Sequence, residues 1–120
     1  MTIAVKKTFD DVDAGIENML AAAIADYDNF MPNDMMPNNE RMKEKFAEGF
    51  VVKKGVKYIK IMTNNGGNAW GFVVNTDNDK KFKKGDILKC AGWAAPARNA
   101  ARGNVLEGGF AINWTGPLYL

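Results

Sequence analysis

Along this 120-residue chain the spacing of hydrophobic positions changes near residue 50. Before that point Phe9, Val12, Ile16, Met19, Leu20, Ala23, Ile24 and Tyr27 recur at intervals of three and four, which predicts an amphipathic helix over residues 9–27. Thr8, with the acidic Asp11 three positions on, reads as a capping pattern, and Asp10, Asp11 and Asp13 suit the positive end of the helix dipole. Gly15 is a mild interruption. Ala21, Ala22 and Ala23 leave a smooth face that another helix can approach closely. Pro32 and Pro37 break the pattern across residues 31–39, and Pro37 suits the first position of a second helix running through Met42 and Phe46 to a stop at Gly49. That helix has a single apolar ridge. Met31, Met35, Met36 and Met42 offer either an adaptable contact surface or, more simply, filling beneath the loop.

After residue 50 the period becomes two. Residues 50–53 and 56–63 are β-branched and aromatic and are separated by Lys54-Gly55, a short hairpin signal. Asn64-Asn65-Gly66-Gly67 is a second turn. Residues 69–75 follow, with Trp70, Phe72 and Val74 alternating onto one face. A polar turn at 76–79 and the approach at 82–86 lead into a strand over 87–90, and residues 110–114 read as the last strand. Thr115-Gly116-Pro117 then turns into the apolar Leu118-Tyr119-Leu120 end. The expected class is α+β: one domain, with one or two N-terminal helices (about residues 8–49) packed on a curved, barrel-like antiparallel β-sheet (about residues 50–120).

The net charge of +2 conceals an asymmetry. Residues 1–49 carry five basic and ten acidic side chains, net −5, and residues 50–120 carry eleven basic and four acidic, net +7. The basic part is expected to attract an anionic partner, to meet the acidic part of another subunit, or both. With 47% apolar and 25% charged residues the chain has the composition of a folded globule. The lone Cys90 cannot form an internal disulfide and lies in an apolar run, so a buried, unreactive thiol is expected. The N-terminus lacks the apolar core of a signal peptide and no window approaches a membrane span, which leads us to expect a cytoplasmic protein.

The absence of histidine removes the commonest general base and metal ligand, and one cysteine cannot build a thiolate zinc site. Asp77, Asn78 and Asp79 faintly resemble a calcium loop, but the downstream glycine and glutamate are missing. Asp86 after Gly85 reads as a turn residue, and the glycines match neither nucleotide-binding fingerprint. No catalytic group, cofactor or metal site is therefore expected.

The most informative stretch is residues 92–104, which holds two of the three arginines. Pro96 fits a first helical position and Gly103 a left-handed stop, so residues 97–102 are expected to form a short helix. Arg98 and Arg102 would then share one face, their Cβ atoms roughly 5–6 Å apart. In that geometry both guanidinium groups grip a pyrophosphate, Asn99 or Asn104 reads sugar or base edges, and Trp93 or Phe72 stacks on the base. The plainer alternative is a surface loop whose arginines pair with the acidic N-terminal segment. A second binding class is also open: Tyr58, Trp70 and Phe72, interleaved with Lys53, Lys54, Lys57 and Lys60, would stack single-stranded nucleic acid if exposed, although such rings more often fill a small core. Lys80, Lys81, Lys83 and Lys84 read as a solvated turn.

Through Trp70-Gly71-Phe72, Lys84-Gly85-Asp86-Ile87-Leu88 and residues 93–104, the chain resembles the phage-encoded Thoeris anti-defence sponge proteins. The likeness is one of size, architecture and residue types over most of the chain, and no individual functional residue is carried over from it. It implies a non-enzymatic homo-oligomer that sequesters cyclic ADP-ribose-type immune signals between protomers in the host cytoplasm. The competing expectations are a small single-stranded nucleic-acid-binding protein and a protein–protein inhibitor or structural subunit using the acidic helix.

Overall fold

A computed structural model describes residues 3–5, 11–30 and 37–117. The elements run β1 (Ile3–Val5), α1 (Val12–Phe30), α2 (Pro37–Glu48), β2 (Val51–Lys54), β3 (Tyr58–Thr63), β4 (Asn68–Val74), β5 (Ile87–Leu88) and β6 (Phe110–Ile112). The class is α+β. Strands β2-β3-β4-β5 form a four-stranded antiparallel sheet that is not closed into a barrel. The last strand is not part of it: β6 pairs antiparallel with β1 in a separate two-stranded sheet. Three residues without a periodic context gave β1 no signal in the sequence.

Helix α1 opens at Val12, with Asp11 at its threshold: the Asp11 Oδ1 accepts the Asp13 N–H at 3.2 Å, and the Asp11 carbonyl accepts the Gly15 N–H at 3.0 Å. The cap is thus Asp11; Thr8, the methionines at 31, 35 and 36, and the Leu118-Tyr119-Leu120 end lie outside the described residues. Helix α2 begins at Pro37 and ends before Gly49, as its proline and glycine predict. Its apolar ridge is anchored by Phe46, which stacks on Tyr27 at 4.3 Å between ring centroids and meets Phe50 edge-on at 5.1 Å.

The four-stranded sheet is covered on both faces. On one, Val12, Ile16, Met19 and Ala23 of α1 pack against Ile59, Ile61, Val73 and Ile87. On the other, Phe72, Val74 and Leu88 pack with Phe82, and Tyr58, Cys90 and Ala101 close the margin. Trp70 departs from the expected alternation. Ile61 pairs with Gly71 but Met62 pairs with Ala69, so Trp70 is the extra residue of a β-bulge. The bulge moves its ring to the α1 side, where it is 5% exposed, meets Phe50 edge-on and donates Nε1–H to the Trp114 carbonyl at 2.9 Å. Gly15 is more than a blemish: a Cβ there would lie 2.4 Å from the Val105 carbonyl oxygen, so α1 is docked through a point that only glycine allows.

Candidate functional site

Residues 97–102 are not helical. The segment that leaves β5 loops out and returns along its free edge. Ala97 N–H is donated to the Lys89 carbonyl at 2.7 Å, Arg102 N–H to the Ile87 carbonyl at 2.8 Å, and Ile87 N–H to the Gly103 carbonyl at 2.8 Å. Six residues cannot readily offset the cost of nucleating a helix, whereas the exposed edge of β5 presents ready partners. Gly103 does have positive φ, at 152°, but for a different purpose: a Cβ there would sit 2.5 Å from Cβ of Phe110.

The two arginines are consequently used separately. Arg98 projects over the Phe82 ring, its guanidinium carbon 4.9 Å from the centroid, and pairs bidentately with Asp79 at 2.9 Å to each carboxylate oxygen. It also donates to the Tyr58 hydroxyl. Asp79 is held in turn by the N–H groups of Lys81 (2.8 Å) and Phe82 (3.0 Å), an Asx-type turn that fixes the carboxylate before the arginine arrives. Its side chain is 1% exposed, against 38% for Arg98. The Arg98 hydrogen bonds, then the two backbone N–H groups, hold the Asp79 carboxyl well below the usual carboxylate range, and Asp79 and Tyr58 raise Arg98 further above its ordinary value. Arg102 turns onto its own loop, donating to Asn99 Oδ1 (2.8 Å) and the Ala100 carbonyl (2.7 Å).

Around Arg98 opens a cleft of about 480 Å³ whose wall includes Lys57, Thr76, Asn78, Asp79 and Lys80, with Val56 at its lip. That volume is in the range of small-ligand sites. Three cations against one tied carboxylate leave it net positive. On the same sheet face as Tyr58, Lys60 holds its ammonium 3.5 Å from the Trp93 ring centroid, and Trp93 is 53% exposed.

Of the residues expected to bind, Arg98 alone lines this cleft. Trp93 is exposed a short distance along the same face, and Asn99 is exposed but engaged by Arg102. Phe72 is 3% exposed within the second core cluster and is a packing residue. Asn104 is 5% exposed and structural: its Nδ2 donates to the Lys84 carbonyl and Asp86 Oδ1, and its Oδ1 accepts the N–H groups of Leu106 and Glu107. Trp70 and Phe72 are both buried, so the stacking platform is not assembled. Cys90 is half-buried, and burial pushes its thiol up. The sequence assigns the other cleft residues elsewhere: Lys57 to a nucleic-acid stacking surface, Thr76, Asn78 and Asp79 to a polar turn faintly like a calcium loop, and Lys80 to a solvated turn. The available signal was Asp79 itself, a turn-starting aspartate followed by Phe82 in an otherwise polar run.

The fold and cleft define a small α+β protein with a basic, aromatic-edged surface on one face of its sheet. The chain belongs to DUF7717, a family of unknown function, whose model matches residues 3–120. No curated protein and no solved structure matches it. Among the described residues no helix is long and apolar enough to cross a membrane, and no group of three or more cysteine, aspartate or glutamate side chains is placed to hold a metal.

Proposed function

We propose that the protein captures a small phosphorylated nucleotide at the Arg98 cleft, without turning it over. The observation that carries this reading is the juxtaposition of a net-positive cleft, built around a positionally fixed guanidinium, with an exposed indole on the same face. Asp79 fixes the plane of Arg98 at the expense of part of its charge, and Lys57 and Lys80 supply the excess. Three of the five guanidinium N–H donors are engaged within the protein, which leaves two to direct a phosphoryl oxygen. Trp93 offers a stacking surface for a base, with Lys60 already on the ring. Capture rather than turnover is supported by the state of Asp79. Among the described residues it is the only carboxylate in the cleft wall, and a carboxyl held so far below its ordinary range is a poor proton acceptor at neutral pH. Sequestration of cyclic ADP-ribose-type signals by a homo-oligomer is the specific form this reading takes.

Calorimetry with cyclic ADP-ribose isomers, ADP-ribose and short oligonucleotides tests it. We expect one compact ligand to saturate the protein. Loss of charge-assisted hydrogen bonds contributing about 1.5–3 kcal/mol each should weaken binding roughly tenfold or more in Arg98→Ala. Arg102→Ala should bind as the unaltered protein does. Affinity that grows with oligonucleotide length and falls steeply with salt would instead place the protein among single-stranded nucleic-acid binders.

A further inference from the structure

The two edges of the four-stranded sheet differ. The edge at β5 is occupied by the chain's own 97–104 segment, whereas among the described residues no strand pairs with the outer edge of β2. All four β2 residues are exposed, including Val51 (37%) and Val52 (41%). The ladder phase tells which groups are unused. Gly55 N–H is donated to the Tyr58 carbonyl, so 55/58, 53/60 and 51/62 are the hydrogen-bonded pairs of the β2–β3 hairpin. The N–H and C=O groups of Val52 and Lys54 therefore point outward, the arrangement that accepts an added strand.

We propose that the outer edge of β2 is a docking site for an extended segment of a partner protein whose side chains alternate between apolar and acidic. The two faces of the edge dictate the alternation. On the α1 side, a groove of about 470 Å³ runs between β2 and the helix, with Ile16, Leu20 and Val52 in its wall. Glu17 lines the same groove and Lys54 is already paired with Asp13, so an incoming carboxylate is disfavoured there and an apolar side chain is favoured. On the opposite face Lys53 stands directly across from Lys60, two cations without an intervening carboxylate on either strand. Side chains of the added strand that point to this face meet positive charge. The same lysines argue against a second copy of the chain as occupant, because a two-fold strand pair doubles the lysines at the seam.

Fluorescence anisotropy with a labelled nine-residue peptide of alternating glutamate and valine provides the test. The unaltered protein should bind it saturably, and should bind the lysine–valine counterpart at least tenfold more weakly. Val52→Pro removes an outward N–H while leaving every β2–β3 ladder bond in place, and should cost tenfold or more in affinity with an unchanged thermal melt. Lys53→Glu should shift preference toward the lysine–valine peptide. Should Val52→Pro not fold, a glutamate–valine peptide N-methylated at every residue, which has no N–H left on either edge, decides the matter with the unaltered protein, and is expected not to bind. Equal affinity for both peptides, undiminished binding by a folded Val52→Pro, binding of the N-methylated peptide, or self-association that Val52→Pro abolishes would each overturn the proposal.

Discussion

On one face of the four-stranded sheet, a 19-residue helix lays a regular apolar stripe against Ile59, Ile61 and Val73. On the other, Phe72, Val74 and Leu88 are covered by one ring, Phe82, and by a loop with no helix or strand of its own length. The helical face is held by area removed from water, distributed over many residues. The loop face is held by a few hydrogen bonds, each attached to a named group: Asp79 to Arg98, Asn104 to Asp86, Ala97 and Arg102 to β5. The first arrangement is robust to position and sensitive to volume. The second tolerates volume at its rim and is sensitive to single polar atoms, which is also where charge can be left facing a cleft.

Substitutions on each face should separate these two modes. The largest expected effect is on the helical face: Ile61→Ala removes a fully buried side chain and should lower stability by about 2–5 kcal/mol in a urea titration. Gly15→Ala follows. Helix propensity alone would favour alanine by about 1 kcal/mol, but the methyl would meet the Val105 carbonyl, so a net destabilisation is expected. If Gly15→Ala raises the melting temperature, α1 docks less closely than described. On the loop face, Asn104→Ala leaves Asp86 Oδ1 and the Leu106 and Glu107 N–H groups without their partner. It should cost about 1–3 kcal/mol despite removing little apolar area. Trp93→Ala, at the exposed rim, should change stability by no more than about 0.5 kcal/mol while weakening nucleotide binding.

Acid should distinguish the faces as well. Because the folded Asp79 carboxyl lies below its ordinary value of 3.8, its stabilising contribution is complete above that pH and is lost as pH falls through the folded value. Hydrogen exchange at the Lys81 and Phe82 amides should therefore accelerate under strong acid before the core amides of Ile59 and Ile61 respond. Simultaneous loss would mean that the loop face is not an independent unit.

The helical face was largely legible in the sequence because periodicity reports burial directly: the α1 stripe, the proline start of α2 and the β3–β4 turn stand where spacing and turn residues place them. Lys54, by contrast, is still a strand residue paired with Ile59, and the β2–β3 turn falls at residues 55–57, past the expected Lys54-Gly55. What was not legible depends on tertiary competition. Residues 97–102 have the proline, alanines and terminal glycine of a short helix, yet the open edge of β5 captures their N–H groups. Trp70 alternates correctly with Phe72 and Val74 in the sequence, yet a bulge sends it to the other core. Gly15 reads as a weak helix residue until Val105, 90 positions away, is seen against it. The same holds for the site. Arg98 could be singled out by residue type, but its partner Asp79 and Lys80 belong to the β4–β5 connection and Lys57 to the β2–β3 turn, and only folding brings the two beside it.

The most direct test is an NMR titration of isotopically labelled protein with cyclic ADP-ribose isomers. Saturable shifts at the amides of Lys57, Thr76, Asn78, Lys80 and Arg98, together with the Trp93 indole N–H, are the predicted result. Shifts confined to Asn99 and Arg102, or none at ligand concentrations that saturate calorimetric binding, would contradict it.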